Sequence, residues 1–176
     1  MKYYVVQVKS NSEEKYIELF EAVNYSKKIK LYFPRREINE RKEGRTTKKI
    51  LPVFPGYVFV EFGENENISD FQRIFTEISG FCRFLRSNSD VTEVKGKDLD
   101  VMIHFAKKTG PIAGVSKVYF NEQNRIVVKE GPLMGFEGLI IKTDKRKGRA
   151  KIKLDFYNKP FTIDLAFEVI SFAKIN

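Results

Sequence analysis

The 176-residue chain contains one cysteine, one histidine and no tryptophan, which restricts the chemistry that it can carry. Cys82 has no second cysteine with which to form a disulfide or a zinc-binding pair. His104 lies in a helical pattern, where a structural or surface role is the usual one. The run at residues 131–138 is rich in glycine but lacks the Gly-Lys-Ser/Thr ending of a phosphate loop. We therefore expect no enzymatic activity, no metal and no cofactor.

Long apolar runs are also lacking, since no stretch reaches the roughly 18 residues that span a membrane. Residues 1–6 have neither the length nor the cleavage pattern of a secretory signal, so we expect a cytoplasmic protein that does not contact a membrane. Acidic residues are in deficit, with 23 Asp and Glu against 32 Lys and Arg and a formal charge of +9. This balance favours a polyanionic partner, and a nucleic acid fits best.

The first two thirds of the chain alternate between strand-like and helix-like patterns. Ser10-x-x-Glu13 and Ser69-x-x-Gln72 have the spacing of capping boxes, so each predicts a helix start. The predicted elements are a strand at 3–8, a helix at 11–24, a three-stranded antiparallel meander at 30–62 with a turn at 43–45, a helix from 69 to 80, a strand at 81–86 and a helix at 98–108. This order predicts an α+β unit whose helices cover one face of an antiparallel sheet.

The pattern changes after residue 108. Residues 109–123 combine Gly, Pro and polar residues with little apolar sequence, which predicts a linker. Beyond them, short strand patterns separated by Gly, Pro and Asn turns are typical of a small β-barrel. We therefore divide the chain into a first domain at 1–108, a linker at 109–123 and a barrel at 124–176.

The strand pattern at residues 57–62 has aromatic residues on both of its faces. Every second residue is apolar and faces the core, whereas Tyr57 and Phe59 point the other way. Phe54, just before the Pro-Gly turn, adds a third ring. Because a half-solvated strand normally has polar residues on its outer face, we expect these rings to form an exposed docking patch. A strand buried on both faces is the alternative that gives the same residues.

Several short segments match the motifs of one protein family. They are Tyr-Tyr-Val-Val-Gln-Val at 3–8, Phe-Pro at 33–34, Phe-Pro-Gly-Tyr-Val-Phe-Val at 54–60, Gly-Phe-x-x-Phe-Leu at 80–85 and Val-Val-Lys-Glu-Gly-Pro-Leu-x-Gly-Phe-x-Gly at 127–138. These segments are spread along the chain, and through them the sequence resembles the NusG family of transcription elongation factors over nearly its whole length. The resemblance implies an α+β protein, with an NGN-type antiparallel sheet and helices followed by a small KOW, SH3-like β-barrel.

The resemblance also implies a function. It points to a monomeric, non-enzymatic elongation or antitermination factor that binds the clamp helices of RNA polymerase through its first domain and suppresses pausing or termination. The polymerase-binding residues that it implies are Tyr3, Tyr4, Phe54, Tyr57 and Phe59. Three of these are the rings that the strand pattern leaves exposed.

Cationic residues are concentrated at 142–153, where seven of twelve residues are Lys or Arg and only Asp144 is acidic. We interpret residues 145–149 as a hairpin tip that presents cations to a phosphate chain, with RNA, such as a leader hairpin, as the partner. A solvated hairpin without tight binding is the alternative. The RNA-binding candidates are Lys142, Lys145, Arg146, Lys147, Arg149, Lys151 and Lys153.

A second basic segment lies at residues 27–49, which has ten Lys or Arg and three Glu. Cations on a long antiparallel hairpin are often present only for solubility. In the family, the first helix and the rim of the sheet lie near the upstream DNA. The resemblance therefore makes Lys9, Lys15 and Arg73 candidates for contacts with the non-template DNA strand.

The sequence departs from the housekeeping pattern at residues 156–160, which read Phe-Tyr-Asn-Lys-Pro. Housekeeping members commonly carry Phe-Gly-Arg there for contact with Rho or a ribosomal protein, so Phe156 is the candidate for such a contact. The changed neighbours favour a specialised, operon-targeted paralogue of the RfaH and LoaP kind.

Two other interpretations are open. A ribosome-associated RNA-binding protein would also have a KOW barrel and basic charge, but it would not need an aromatic docking patch. A second domain that rests as a helical hairpin is known within the family. The β pattern at 151–165 and Pro160 oppose a helix there, so we expect a stable barrel.

Overall fold

The computed structural model describes residues 1–24, 28–42, 45–85 and 87–170, leaving aside the side chains at 41 and 42. Residues 43 and 44 of the predicted turn, and the end of the predicted strand at 86, therefore lie outside the described residues. The chain forms two compact units. The first comprises Met1–Phe33 and Phe54–Ala106, and the second comprises Pro34–Val53 and the chain from Lys107 onward.

Twelve strands and three α-helices are present in the described residues. The strands are β1 (Lys2–Val8), β2 (Lys30–Tyr32), β3 (Arg35–Lys42), β4 (Arg45–Pro52), β5 (Tyr57–Phe62), β6 (Phe81–Phe84), β7 (Ile112–Ala113), β8 (Ser116–Phe120), β9 (Ile126–Glu130), β10 (Ile140–Asp144), β11 (Arg149–Phe156) and β12 (Lys159–Val169). The helices are α1 (Glu13–Val23), α2 (Ile68–Glu77) and α3 (Gly96–Ile103), which continues as a π-helical turn (His104–Lys108), and a 3-10 turn lies at Glu137–Leu139. Among these residues, no helix has the length and apolar character needed to cross a membrane.

The first unit is a four-stranded antiparallel sheet in the order β2-β5-β1-β6. Buried residues on one face of β1 and β5 share a core with Phe20 of α1 and Phe75 of α2, whose rings stack at 4.6 Å. The Tyr16 hydroxyl donates a hydrogen bond to the Phe75 carbonyl at 2.8 Å. Burial raises the pKa of Tyr16, which keeps this donor protonated. One face of the sheet is therefore covered by α1 and α2, as predicted, but the third predicted helix, at 98–108, contributes Phe105 to the opposite face.

Neither α1 nor α2 starts with the predicted capping box. The α1 helix has no side-chain cap bond at Ser12, and Glu13 turns inward so that its Oε1 accepts the Gly56 N–H at 2.7 Å. A buried carboxylate needs a donor, and this bond ties the start of α1 to the turn before β5. At α2, the side chain of Asn67 caps the helix by accepting the Ser69 N–H.

The predicted meander at 30–62 is wrong in its pairing. The segments are extended, but β5 pairs with β1 and β2, whereas β3 pairs with β4 and, in parallel, with β7. The β3–β4 hairpin therefore belongs to the second unit. Its pairing with β7 joins segments that are distant in sequence, which local periodicity does not report.

The second unit is built around a curled five-stranded sheet in the order β10-β11-β12-β8-β9. Strands β7 and β8 fall within the predicted linker at 109–123, so this part of the chain is folded into the unit. The α+β fold class is confirmed: a sheet-and-helix unit is combined with a β unit. The predicted domain boundaries stay a prediction, and the two compact units divide the chain differently.

Candidate functional site

The aromatic patch predicted on β5 is not exposed. Phe54 and Phe59 are 3% and 0% exposed. The Phe54 ring meets the Phe59 ring edge-on at 5.1 Å, and it meets the Phe105 ring of the π-helical turn at 6.0 Å. The prediction of an exposed patch is wrong for these two rings because Phe105 helps to cover the second face of the sheet. The alternative of a strand buried on both faces is the correct one.

The polar residue on this face is buried as well. Glu61 is 4% exposed, and its Oε2 accepts a hydrogen bond from the Tyr32 hydroxyl at 3.0 Å, which offsets the burial of the carboxylate. Tyr57, beside the Gly56 turn, is half-buried. Of the three rings predicted to dock a partner, only Tyr57 reaches the surface.

Tyr3 and Tyr4, the other predicted polymerase contacts, are 9% and 6% exposed. Tyr4 belongs to the core beneath α1 and α2, where its ring meets Phe62 edge-on at 5.4 Å. Burial and, to a smaller extent, the charge of Glu93 raise the pKa of Tyr4. Tyr3 faces the opposite way, since successive strand residues alternate. The five predicted residues therefore do not share one surface.

The predicted basic hairpin is formed by β10 and β11, with a turn at 145–148 between them. Along β11, the small and apolar residues Ala150, Ile152 and Leu154 are buried, and the cationic residues between them point outward. Lys142 and Lys151 are cross-strand partners. All seven predicted cations therefore lie on one hairpin, with none of them buried.

The conformation of the hairpin tip is stabilised by two hydrogen bonds. Asp144 Oδ1 accepts the Lys147 N–H at 2.9 Å, and the Gly148 carbonyl accepts the Phe167 N–H at 2.8 Å. Gly148 has φ +60, and a Cβ there would lie 2.6 Å from the Phe167 oxygen, so only glycine fits. The tip therefore presents the exposed side chains of Lys145, Arg146 and Lys147 on a fixed backbone.

A cleft of about 640 Å³ lies beside the tip within the second unit. One side is formed by the tip, the facing side is formed by the β3–β4 hairpin, and the end of β12 completes the lining. The lining residues are Asn39, Glu40, Thr46, Lys145, Arg146, Lys147, Gly148, Arg149, Phe167, Glu168 and Val169. Four of these side chains are cationic and two are acidic, so the lining favours an anion.

A smaller cleft of about 170 Å³ lies on the other side of Arg149. It is lined by Lys142, Asp144, Lys147, Arg149, Lys151 and Asp164. Lys147 and Arg149 line both clefts, and six of the seven predicted RNA-binding residues line at least one of them. Lys153 lies farther along β11 and lines neither of them.

Some of these cations already have partners. The Lys145 ammonium lies 3.8 Å from the centre of the Phe120 ring and also bonds the Asn124 side chain. Lys151 Nζ is 3.6 Å from Asp164 Oδ1. Pairs of this kind at a surface contribute little to stability, so a polyanion can replace them at low cost.

The predicted DNA contacts lie on three different elements of the first unit. Lys15 on α1 is exposed and pairs with Glu18 at 3.5 Å. Arg73 on α2 pairs with Glu77 at 2.6 Å, and this hydrogen bond raises the pKa of Arg73. Lys9 follows β1 and is exposed. Two of the three cations are thus balanced by a carboxylate on their own helix.

Phe156, the candidate for contact with Rho or a ribosomal protein, is buried beside its turn. The Phe156 ring is 6% exposed and meets the Tyr157 ring edge-on at 5.1 Å. Tyr157 and Asn158 form a two-residue turn with φ +52 and +58, the geometry of tight hairpins. A partner that binds this turn would meet its backbone and Asn158 rather than the Phe156 ring.

The part of the chain that the structure describes has no group of three or more His, Cys, Asp or Glu side chains arranged to hold a metal ion. Cys82 is exposed on β6, and His104 packs edge-on against Phe105 at 4.9 Å. Neither residue lies in the basic clefts.

Asn39, Glu40 and Thr46, which form the second side of the large cleft, were not predicted from sequence. Local periodicity places their segment in the first domain, whereas the pairing of β3 with β7 and the bonds of Arg36 and Asn39 to β12 and β11 place it in the second unit. The basic composition of residues 27–49 was the available signal. In the structure, Lys48 and Lys49 of this hairpin pair with Glu37 and Glu40 at 3.0 and 3.8 Å.

Comparison with known protein families identifies the first part of the chain. The family model described as "Transcription termination factor nusG" matches residues 1–103, which is more than half of the sequence. A solved structure described as "Domain interaction in Thermotoga maritima NusG" superposes with a TM-score of 0.52, covering 94% of this chain and 93% of that chain. At 19% sequence identity, this likeness concerns the fold alone.

Curated relatives extend the similarity to nearly the full length. The transcription termination/antitermination protein NusG of Buchnera aphidicola subsp. Baizongia pistaciae is 24% identical over 174 residues, which cover 96% of this chain and 94% of the relative. The protein of the same name from Neisseria meningitidis serogroup B is 23% identical over 180 residues, covering 99% and 98%.

Proposed function

The chain belongs to the NusG family, and from this premise we propose that it is an elongation and antitermination factor of transcription. It binds RNA polymerase through the first unit and contacts RNA through the basic hairpin of the second. The match of the family model to residues 1–103 carries this proposal, and relatives that align along nearly their whole length support it. NusG-family proteins are non-enzymatic transcription factors, so no catalytic step is required.

The proposed polymerase contact is the surface around Tyr57, with the clamp helices as the partner that the family implies. Tyr57 is half-buried, and Phe54 and Phe59 lie beneath this surface. A tyrosine that becomes fully buried in an interface typically contributes about 2 kcal/mol or more to binding. The buried rings support the strand and do not themselves touch the partner.

Binding of Tyr57→Ala to purified RNA polymerase tests this contact. We expect about thirtyfold weaker binding, since about 2 kcal/mol corresponds to that factor, and a matching loss of readthrough at a terminator. Tyr119→Ala, which removes a half-buried ring from the second unit, is the matched control and should bind normally. Normal polymerase binding by a folded Tyr57→Ala protein would contradict the assignment.

The proposed RNA contact is the β10–β11 hairpin. Its seven cations, six of which line at least one of the two clefts, support binding of a phosphate chain. Non-template DNA as a partner of Lys9, Lys15 and Arg73 stays a prediction. The same holds for Rho or a ribosomal protein at the Phe156 turn, and for specialisation to particular operons.

A ribosome-associated RNA-binding protein is the second candidate, and one observation favours it. The exposed aromatic patch that argued against it is absent, because Phe54 and Phe59 are buried. Affinity purification of the tagged protein, with RNase treatment before elution, separates the two candidates. We expect RNA polymerase to be retained, and retention of ribosomal subunits alone would favour the second candidate.

A further inference from the structure

The large cleft of the second unit has walls from two hairpins, and only one of them is rich in cations. The basic tip supplies Lys145, Arg146 and Lys147, while β3–β4 supplies Asn39 and Thr46. A volume of about 640 Å³ is within the range of roughly 300–1,000 Å³ that is typical of ligand-binding sites. The cleft is therefore large enough to hold part of a nucleic-acid chain.

The two walls are joined by arginine side chains. The Arg149 guanidinium donates a hydrogen bond to the Asn39 carbonyl. Arg36 Nε donates to the Asp164 carbonyl at 2.9 Å, and its Nη1 donates to the Pro52 carbonyl. Burial lowers the pKa of Arg36, although an arginine in this setting remains charged. These bonds hold β3 against the sheet, so the cleft is formed before any ligand arrives.

The polar groups of the cleft suit a phosphate backbone. Arg149 lines the cleft, and its guanidinium adds a positive charge to the lining. The Thr46 hydroxyl and the Asn39 amide supply uncharged donors on the facing wall. Glu40 also lines the cleft, but Lys49 Nζ lies 3.8 Å from it and offsets its charge. Glu168 is the second acidic residue of the lining.

We propose that this cleft is a two-walled seat for the phosphodiester backbone of RNA, in which Thr46 and Asn39 of the β3–β4 hairpin contact the chain from the side opposite the basic tip. The proposal rests on the RNA-binding function proposed above for the tip. It adds a second hairpin, from a distant part of the sequence, to the binding site. The uncharged donors also suit the ribose 2′-hydroxyl, which is specific to RNA.

A pair of neighbouring residues on β4 provides the test. Thr46 lines the cleft, whereas its neighbour Thr47 does not, and both are exposed. Thr46→Glu and Thr47→Glu therefore make the same change in net charge, with little risk to folding. Each variant is titrated, as the full chain, against a fluorescein-labelled stem–loop RNA at about 100 mM salt.

We expect Thr46→Glu to weaken RNA binding about tenfold or more, because it places a carboxylate against the phosphates and removes a donor. Thr47→Glu should change the affinity about twofold or less, since its charge is screened by solvent. Equal effects of the two variants would show that only overall charge matters and would overturn the two-walled seat.

Lys147→Glu, at the tip, separates failure of this inference from failure of the proposed function. If Lys147→Glu weakens binding while Thr46→Glu and Thr47→Glu remain equal, the tip binds RNA alone and the second wall is wrong. If Lys147→Glu has no effect, the RNA-binding function itself fails, and the seat with it. Circular dichroism spectra that match the parent protein establish that each variant is folded.

A DNA stem–loop of the same sequence distinguishes the two sources of phosphate. We expect it to bind more weakly than the RNA, because it lacks the 2′-hydroxyl groups that Asn39 and Thr46 can contact. DNA binding as tight as RNA binding, with the same sensitivity to Thr46→Glu, would overturn the assignment of the seat to RNA.

Discussion

Strands β5 and β11 have the same alternating pattern in sequence but differ in the burial of their outer faces. Alternate residues of β11 are buried, and the cations between them are half-buried or exposed, as the sequence predicts. Five of the six β5 residues are buried, with Tyr57 as the exception. Alternation reports which residues share a face, but it does not report whether another element covers the second face. Cations resist burial, whereas aromatic rings accept it, so the composition of the outer face decides how far the pattern can be trusted.

The largest expected effect is on stability and concerns Phe59, whose ring lies at the centre of β5. Phe59→Ala should lower the free energy of unfolding by about 3–5 kcal/mol, because the ring is fully buried and its loss leaves a cavity. Tyr57→Ala, two residues away on the same face, should cost about 1 kcal/mol. Chemical denaturation of both variants provides the measurement. Similar losses for the two variants would mean that the outer face of β5 is not covered.

This difference also determines which variants can test polymerase binding. A Tyr57→Ala/Phe59→Ala double variant, which treats both rings as surface residues, would lose binding through unfolding alone. The single Tyr57→Ala change avoids that ambiguity because the core remains intact. The structure therefore replaces the expected patch of three rings by a single half-buried tyrosine.

The binding of RNA by the β11 face gives the second largest effect, through its dependence on salt. If about four phosphates are neutralised, affinity for a single-stranded RNA should fall roughly 50-fold between about 50 and 200 mM salt. Fluorescence anisotropy titrations at several salt concentrations measure the slope. A slope near zero would indicate that the exposed cations of β11 are only a solvated surface.

The positions of the helices and strands are largely predictable from the sequence, but the pairing between strands distant in sequence is not. Strand and helix positions in the first unit follow local periodicity, and the tip at 145–148 follows from a charged, Gly-containing turn between two strand patterns. The pairing of Arg35 with Ile112 depends on segments far apart in sequence. For that reason local periodicity does not predict Asn39 and Thr46 as lining residues, and it predicts a linker at 109–123 where the structure has β7 and β8.

The position of each cation along the β10–β11 hairpin leads to a prediction with an effect of intermediate size on RNA binding. Lys147 lines both clefts, whereas Lys153 lines neither, although both are exposed. Lys147→Glu should weaken RNA binding about tenfold and reduce the salt slope by about one, while Lys153→Glu should change affinity only about twofold. Equal effects in anisotropy titrations would show that RNA responds to the charge of the hairpin and not to the clefts.

The two ends of β11 differ in their turns, and the smallest expected effect concerns stability there. Asn158 and Gly148 have nearly the same φ, +58 and +60, but Asn158 carries a Cβ, whereas a Cβ at Gly148 would meet the Phe167 oxygen. Asn158→Gly should raise the free energy of unfolding by about 0.5 kcal/mol, because relief of the left-handed backbone exceeds the entropy gained by the unfolded chain.

Gly148→Ala is the contrast for this prediction, since a Cβ would lie 2.6 Å from the Phe167 oxygen. It should destabilise the protein and also weaken RNA binding, because the tip that displays Lys145, Arg146 and Lys147 would have to move. Thermal melting and RNA titration of both variants measure the difference. A loss of stability at Gly148→Ala well above the roughly 1–2 kcal/mol that a left-handed backbone alone costs a non-glycine residue would show that the contact with β12 shapes the tip. A loss no larger than that would mean that the turn conformation alone determines it.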